Sequence, residues 1–206
     1  MALRVLVVQH GEKERSCGDP GLTARGHEQA RITAQWLGRA GSTAGLWSSP
    51  MRRALETAAP IAAQLGVAAS TDVRLRERMN WECDAEQPIE EFLQEWRRAS
   101  ADRSYEPRGG DSSHHAASRF VATLDALAES HSGTAIVVTH GGVTTDALRT
   151  LVGDAALRAL APPLIDDGMS SCAITTLETA HGGWAVESIA DTHHLTEPGH
   201  IARAAR

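Results

Sequence analysis

Two histidines in this chain close apolar segments, and each is followed by glycine. His10 ends the run 3–8 in Val-Val-Gln-His-Gly-Glu, and His140 ends the run 135–139 in Val-Thr-His-Gly-Gly. Both runs are predicted to be strands buried on both faces of a sheet. Ligands of open α/β sheets bind at the carboxyl ends of the strands, so both imidazoles are expected to reach one crevice. The glycines there let backbone N–H groups approach an anion.

A pair of arginines, Arg52 and Arg53, begins a predicted helix in the segment 48–58, Ser-Ser-Pro-Met-Arg-Arg-Ala-Leu-Glu-Thr-Ala. A guanidinium group in the first turn of a helix combines a bidentate donor with the helix N-terminus, and the two together favour phosphate. Taken alone, the pair indicates only a solvated surface. Beside the two histidines, one of the arginines is a candidate phosphate clamp.

The segments that position these residues alternate between strand and helix. Strands are predicted at 3–8, 46–49, 71–75, 135–139, 172–177 and 184–189, and helices at 24–40, 51–65, 89–98, 111–130 and 143–151. Asp111 is the predicted N-cap of the fourth helix. The alternation indicates one layered α/β domain over residues 1–206, with only the tail after about 197 expected to fray.

Composition narrows the classes of function. The chain has 206 residues, 42% of them hydrophobic, and 20 basic against 26 acidic side chains, for a formal charge of −6. No basic domain suggests nucleic-acid binding, so an anionic ligand must be captured locally. No stretch reaches the roughly 18 apolar residues of a membrane span, and no signal peptide precedes the first strand. The sequence leaves a monomer and a homodimer both open.

The three cysteines, Cys17, Cys83 and Cys172, form no CxxC pair and leave an odd thiol. The sequence therefore predicts neither a disulfide framework nor a zinc site, and it favours a reduced compartment and a soluble, cytoplasmic protein. The adjacent pairs His114-His115 and His193-His194 cannot converge on one metal as histidines four residues apart on a helix do.

In their order along the chain, these motifs resemble those of the histidine phosphatase superfamily, also called the phosphoglycerate mutase-like family. The resemblance covers nearly the whole chain, through the segments 9–12, 19–30, 48–58, 75–77, 110–112, 140–142 and 191–195. It implies a three-layer α/β/α fold with a mainly parallel central sheet. It also places the motif arginine at Arg53 and leaves Arg52 at the surface.

The resemblance implies a metal-independent phosphomonoesterase that acts on a small phosphorylated metabolite. His10, as a neutral imidazole, would attack phosphorus and form a phosphohistidine that water hydrolyses. Arg53 and His140 would bind the equatorial oxygens, with Gln9 and Gly141 beside the same phosphate. No metal or cofactor is required, because cationic side chains balance the charge.

Glu77 is the predicted acid and base, protonating the departing alkoxide and later accepting a proton from water. Some members of the family place the acid directly after the second histidine, where this chain has Gly141 and Gly142. The acid must therefore come from elsewhere. Glu82 is the competing carboxylate, and a surface ion pair with a neighbouring arginine is the non-catalytic alternative for Glu77.

Gln9 stands where the family usually has an arginine that binds the same phosphate. Glutamine donates a neutral amide hydrogen bond, whereas a charge-assisted bond is roughly twice as strong. Weaker phosphate binding is expected, with Lys13, the only lysine of the chain, or Arg15 as the substitute cation.

Three further functions stay open, one of them a phosphoprotein phosphatase, for example of phosphohistidine, because the loops around the site are short. Mutase-type phosphoryl transfer must protect the phosphohistidine from water, and the short segments 12–19 and 76–87 leave little material for a lid, so hydrolysis is favoured. A non-catalytic phospho-ligand binding module is suggested only by Gln9. Leaving-group specificity is expected to lie in the segments 80–105 and 160–169.

Overall fold

The computed structural model describes residues 2–39, 41–83, 87–162 and 164–196, so the predicted fraying of the tail after 197 lies outside the described residues. Six strands form one sheet: β1 Leu3–Gln9, β2 Gly45–Ser48, β3 Ala69–Thr71, β4 Gly133–Thr139, β5 Ile174–Ala180 and β6 Gly183–Asp191. Their order is β3-β2-β4-β1-β5-β6. The first four strands in this order are mutually parallel, whereas β5 is antiparallel to both of its neighbours.

Helices flank this sheet on both faces. They are α1 Ala24–Leu37, α2 Arg52–Leu65, α3 Ile89–Ala101, α4 Ser113–Ser130, α5 Gly141–Val152, α6 Asp154–Leu160, α7 Leu164–Asp167 and α8 His193–Thr196. Along β1, Val5 and Val7 belong to the core beneath α4 and α5, whereas Leu6 and Val8 belong to the core beneath α1 and α2. Since successive side chains of a strand point to opposite faces, the run is apolar because both faces are covered. The predicted three-layer fold with a mainly parallel sheet is confirmed.

Two local predictions are wrong, both because short polar side chains bond to nearby backbone. The predicted strand 71–75 is β3 followed by a 3₁₀ turn, Val73–Leu75, in which the Asp72 side chain accepts from the N–H of Arg74. The N-cap of α4 is Ser112, whose side chain accepts from the N–H of His115. Asp111 instead accepts hydrogen bonds from Arg76 and Arg119.

A disulfide joins Cys17 and Cys83 across 66 residues of sequence, and Cys172 is a buried free thiol. The prediction that the cysteines stay unpaired is therefore wrong for this pair. The loop after β1 and the loop after the 3₁₀ turn meet at the carboxyl edge of the sheet, where the N–H of Gly18 also donates to the carbonyl of Trp81 at 2.7 Å. The cysteines therefore no longer support the expectation of a reducing compartment. Among the described residues, no helix is long and apolar enough to cross a membrane.

Candidate active site

His10 follows β1 and is held as a nucleophile by its own backbone. Its Nδ1 lies 2.8 Å from the carbonyl oxygen of Gly11, which can only accept, so Nδ1 carries the proton. The neutral ring then has its lone pair on Nε2, and the side-chain amide nitrogen of Gln9 lies 3.4 Å from that atom. Burial is the main cause that lowers the pKa of His10 to about 3, with Arg53 and Lys13 adding to it against the Gly11 bond. The imidazole is therefore neutral across the physiological range.

His140 lies next to His10 because β4 and β1 pair in parallel, with Thr139 opposite Gln9. The two ring centroids are 5.2 Å apart. His140 is fully buried, and burial together with Arg53 and His10 lowers its pKa well below the ordinary value.

The hydrogen bonds of the His140 ring leave one of its two nitrogens without a partner. Its Nε2 lies 2.7 Å from the hydroxyl of Ser49, which already accepts from the N–H of Met51 at 3.3 Å. The Ser49 hydroxyl can donate to Nε2 or accept from it, whereas Nδ1 has no hydrogen-bond partner among the described residues. His140 thus has one unpartnered ring nitrogen, Nδ1, in a ring that lies next to His10.

Arg53 stands in the first turn of α2 with its side chain 3% exposed. Within the described part of the chain, its Nε and Nη1 have no hydrogen-bond acceptor, although Asp19 Oδ1 lies 3.7 Å from Nη1. Buried guanidinium donors without acceptors are costly and mark a place where an anion binds. The neighbouring Arg52 is exposed and pairs with Glu56 at 2.7 Å, so its prediction as a surface residue is confirmed.

The Glu77 carboxylate is bound by backbone N–H groups. Its oxygens accept from Gly142 at 3.0 Å, from Val143 at 2.8 Å and from Arg78 at 2.7 Å. The Arg119 side chain donates to the carbonyl of Glu77 at 3.0 Å, which fixes the segment behind it. These contacts hold the carboxyl group in one orientation at the N-terminus of α5.

The competing carboxylate Glu82 and the two arginines beside Glu77 have other partners in the structure. Glu82 is exposed and accepts from the side chain of Asn80 at 2.8 Å. The neighbouring Arg76 pairs with Asp111, and Arg78 pairs with Asp146. Neither arginine forms a surface ion pair with Glu77 among the described contacts.

Two cavities meet at His10, one of about 760 Å³ and one of about 330 Å³. Four residues line both of them: His10, Lys13, Glu77 and Trp96. Arg53 lines the larger cavity, and Gln9 and Gly141 line the smaller one. The structure thus brings the predicted site residues together, with one difference: His140 is fully buried next to His10 and lines neither cavity.

Three further residues support this site, and the sequence reading assigned none of them a role. Thr57 accepts from the N–H of Gly11 at 3.0 Å and donates to the carbonyl of Arg53 at 2.8 Å, which joins the end of β1 to α2. Ser49 and Thr57 lie inside the 48–58 motif, so this motif could have identified both residues from the sequence. For Arg119, which reaches Glu77 from α4, the sequence offers no comparable signal.

In the part of the chain that the structure describes, no three His, Cys, Asp or Glu side chains are grouped so that they could hold a metal ion. His114 and His115 are exposed at the start of α4, as predicted for a solvated helix start.

Sequence comparison identifies the class of protein to which this fold and site belong. Residues 5–192 match the family described as histidine phosphatase superfamily (branch 1), and the chain belongs to this superfamily. A relative from Yersinia enterocolitica, named "probable phosphoglycerate mutase GpmB", is 30% identical over 216 residues, covering 95% of this chain and 96% of its own length. The protein of the same name from Yersinia pestis (strain Pestoides F) is 31% identical over 209 residues, with the same coverage.

Solved structures with the same fold include phosphatases. A mycobacterial glucosyl-3-phosphoglycerate phosphatase in complex with VO3 superimposes with a TM-score of 0.74 at 25% identity, covering 92% of this chain and 99% of that one. The phosphoserine phosphatase of Entamoeba histolytica in complex with 3-phosphoglyceric acid gives a TM-score of 0.65 at 22% identity, covering 94% and 99%.

Proposed function

We propose that the protein is a metal-independent phosphomonoesterase that works through a phosphohistidine on His10. One observation carries the proposal: the bond from His10 Nδ1 to the Gly11 carbonyl leaves the Nε2 lone pair at the meeting point of two cavities, beside the buried Arg53. A nucleophile, a cation and the carboxyl group of Glu77 together are what phosphoryl transfer to an enzyme requires.

The first step transfers the phosphoryl group to the enzyme. His10 Nε2 attacks phosphorus, the N–P bond forms as the P–O bond to the leaving group breaks, and Glu77 gives its carboxyl proton to the departing alkoxide. The Gly11 carbonyl keeps its hydrogen bond to Nδ1–H and so stabilises the positive charge that develops on the ring.

The second step returns the enzyme to its starting state. A water molecule gives a proton to the Glu77 carboxylate and attacks phosphorus, the N–P bond breaks, and its electron pair returns to His10 Nε2 as phosphate leaves. Arg53 balances the charge on the equatorial oxygens in both steps, and the Nδ1–H of His140 is the second donor in this proposal.

Lys13 is the cation that replaces the missing arginine at position 9 in this proposal. It lines both cavities and lies close enough to His10 and Arg53 to interact electrostatically with each, whereas Arg15 is exposed and lines only the larger cavity. Gln9 adds an amide donor next to His10 Nε2. A lysine supplies charge without the bidentate fork of an arginine.

Hydrolysis is preferred over mutase-type transfer, although the Yersinia relatives are named as probable mutases. A mutase must shield the phosphohistidine, and the larger cavity is bordered by the exposed side chains of Arg15, Ser16 and Leu93. Water therefore has a short path to the phosphorylated ring.

The proposal is tested with p-nitrophenyl phosphate from pH 5 to 8, with and without a chelator. We expect turnover that the chelator leaves unchanged, that His10→Ala abolishes, and that the exposed-site control Arg52→Ala retains. Acid-labile, alkali-stable phosphate should be trapped on the wild type alone, since an N–P bond has that stability. Turnover that survives in His10→Ala would contradict the mechanism.

The two alternatives give different results in the same preparation. Interconversion of phosphoglycerates that depends on bisphosphoglycerate and releases little phosphate would identify a mutase. Binding of inorganic phosphate without His10-dependent turnover of any ester would identify a binding module.

A further inference from the structure

The third helix, α3, directs its apolar face away from the core. Ile89, Phe92, Leu93 and Trp96 recur at the spacing of one helical face. Within the described part of the chain none of the four belongs to either hydrophobic core, and the only buried residue of α3 is Ala99. Leu93 is 40% exposed. An amphipathic helix normally buries this stripe, so the stripe serves another purpose here.

That face forms one wall of the larger cavity, which we call the leaving-group cavity. Its apolar lining consists of Pro20, Met79, Trp81, Ile89, Phe92, Leu93 and Trp96. The same cavity reaches His10, Arg53 and Glu77. Apolar walls and reacting groups therefore share one space, and its volume of about 760 Å³ lies within the usual range for small-molecule sites.

We propose that the leaving-group cavity binds an apolar leaving group, so that the preferred substrates are phosphate monoesters of alkyl or aryl alcohols. The inference rests on the proposed function and specifies its substrate class. His10 and Arg53 fix the phosphate, and in-line attack places the ester oxygen on the side of phosphorus opposite His10. The chain attached to that oxygen then extends past Glu77 toward α3.

Charge supports an apolar rather than an anionic leaving group. The cationic lining residues are Lys13, Arg15 and Arg53, and two of them, Lys13 and Arg53, lie near His10, where the phosphate itself needs them. A second carboxylate or phosphate on the substrate would be desolvated against tryptophan and phenylalanine rings. Burial of a charge without a partner is unfavourable, whereas burial of methylene groups there is favourable.

The test is a homologous series of ethyl, butyl and hexyl phosphate, with kcat/KM measured by phosphate release. The three alcohols have nearly the same acidity, so chain length changes apolar contact and not leaving-group chemistry. Full burial of one methylene corresponds to about fourfold in kcat/KM, and we expect about two- to fourfold per methylene. We also expect 3-phosphoglycerate to fall below hexyl phosphate.

Substitutions on the apolar face of α3 test whether this face binds the alkyl chain of the substrate or affects activity on every ester alike. Phe92→Ala and Leu93→Ser should reduce the gain per methylene, so kcat/KM should fall more for hexyl phosphate than for ethyl phosphate. Leu160→Ser is the matched control, because Leu160 is 66% exposed and lies outside the cavity lining. This control should keep the wild-type gain.

The outcomes distinguish the inference from the proposed function. His10-dependent turnover with no gain along the series, or with 3-phosphoglycerate as the best substrate, overturns the apolar cavity and leaves the phosphatase in place. The same gain in Phe92→Ala and Leu93→Ser as in the wild type also overturns it. Absence of His10-dependent turnover on every ester overturns both.

Discussion

The carboxylate of Glu77 occupies the space that a side chain at position 142 would need. A Cβ built on Gly142 would lie 2.5 Å from Glu77 Oε1, and the backbone N–H of Gly142 donates to the other carboxylate oxygen at 3.0 Å. Gly142, the second glycine after His140, therefore accommodates an acid supplied from another segment of the chain. This relationship explains why the acid of the proposed site stands at position 77 and not beside His140.

Gly142→Ala should lower the catalytic activity much more than it changes the stability of the fold. The new methyl group must displace Glu77 or Trp96, so kcat should fall at least about tenfold, which corresponds to about 1.4 kcal/mol of transition-state stabilisation. The melting temperature should change little, because the helix propensity gained from alanine offsets part of the loss of the hydrogen bonds to Glu77. The readouts are kcat for p-nitrophenyl phosphate and thermal unfolding.

Gly38→Ala provides the matched control for that prediction. Its Cβ would meet the Gln64 side chain at 2.8 Å, a similar clash with a flexible side chain, and neither residue lines either active-site cavity. Unchanged kcat in Gly142→Ala would show that the position of the Glu77 carboxylate does not matter for catalysis.

Lys13→Ala should weaken phosphate recognition, because Lys13 is the cation that lines both cavities beside Gln9 and His10. We expect KM and the inhibition constant of inorganic phosphate to rise about tenfold, equivalent to about 1.4 kcal/mol. Lys13→Arg should retain most of the affinity, and the exposed Arg15→Ala should have a smaller effect. If Lys13→Ala combined with Arg15→Ala left both kcat and KM unchanged, compensation for Gln9 would be refuted.

Reduction of the disulfide between Cys17 and Cys83 should lower the free energy of unfolding. A cross-link that closes a loop across 66 residues removes conformational entropy from the unfolded chain worth about 4 kcal/mol, and measured values are commonly lower. Urea midpoints with and without dithiothreitol give the comparison. Cys17→Ser should be less stable than the oxidised wild type and insensitive to the reductant, and identical midpoints for both proteins would argue against any stabilising role.

Acidification should destabilise the wild type more than His10→Asn. Burial lowers the pKa of His10 to about 3 in the folded protein, while the unfolded value is near 6.5. Between these values the unfolded chain binds the additional proton, so the free energy of unfolding falls as pH falls. The difference between wild type and variant should change by about 1.4 kcal/mol per pH unit from pH 6 to 4. Urea unfolding at several pH values measures this difference. If the free energies of unfolding of the two proteins changed in parallel with pH, His10 would bind its proton equally in the folded and unfolded states.

Much of the site could be predicted because its residues sit in contiguous motifs at strand ends. His10 and Arg53 each follow a strand by only a few residues, so the parallel sheet brings them to one edge without long-range information. The buried strands were readable for a related reason: apolar runs such as that of β1 are covered on both faces.

Features that depend on distant pairing could not be predicted from the sequence. Cys17 meets Cys83 only because two loops converge, and nothing local marks either residue as the partner of the other. Asp111 looked like an N-cap, yet it binds Arg119 within its own region and Arg76 from another segment. The full burial of His140 next to His10 likewise follows from how β1 and β4 pack beside α5, which a motif does not encode.

Lys13 gives this arginine-rich protein one side-chain amine that a reagent can modify selectively. It is the only lysine in the chain, and burial, together with Arg53 and Arg15, lowers its pKa. Apart from the α-amino group, an acylating reagent therefore has one amine to modify, and that amine is more nucleophilic near neutral pH than an ordinary lysine. Acylation removes the charge of Lys13, so protection of this amine by inorganic phosphate would report directly on whether the site beside His10 is occupied.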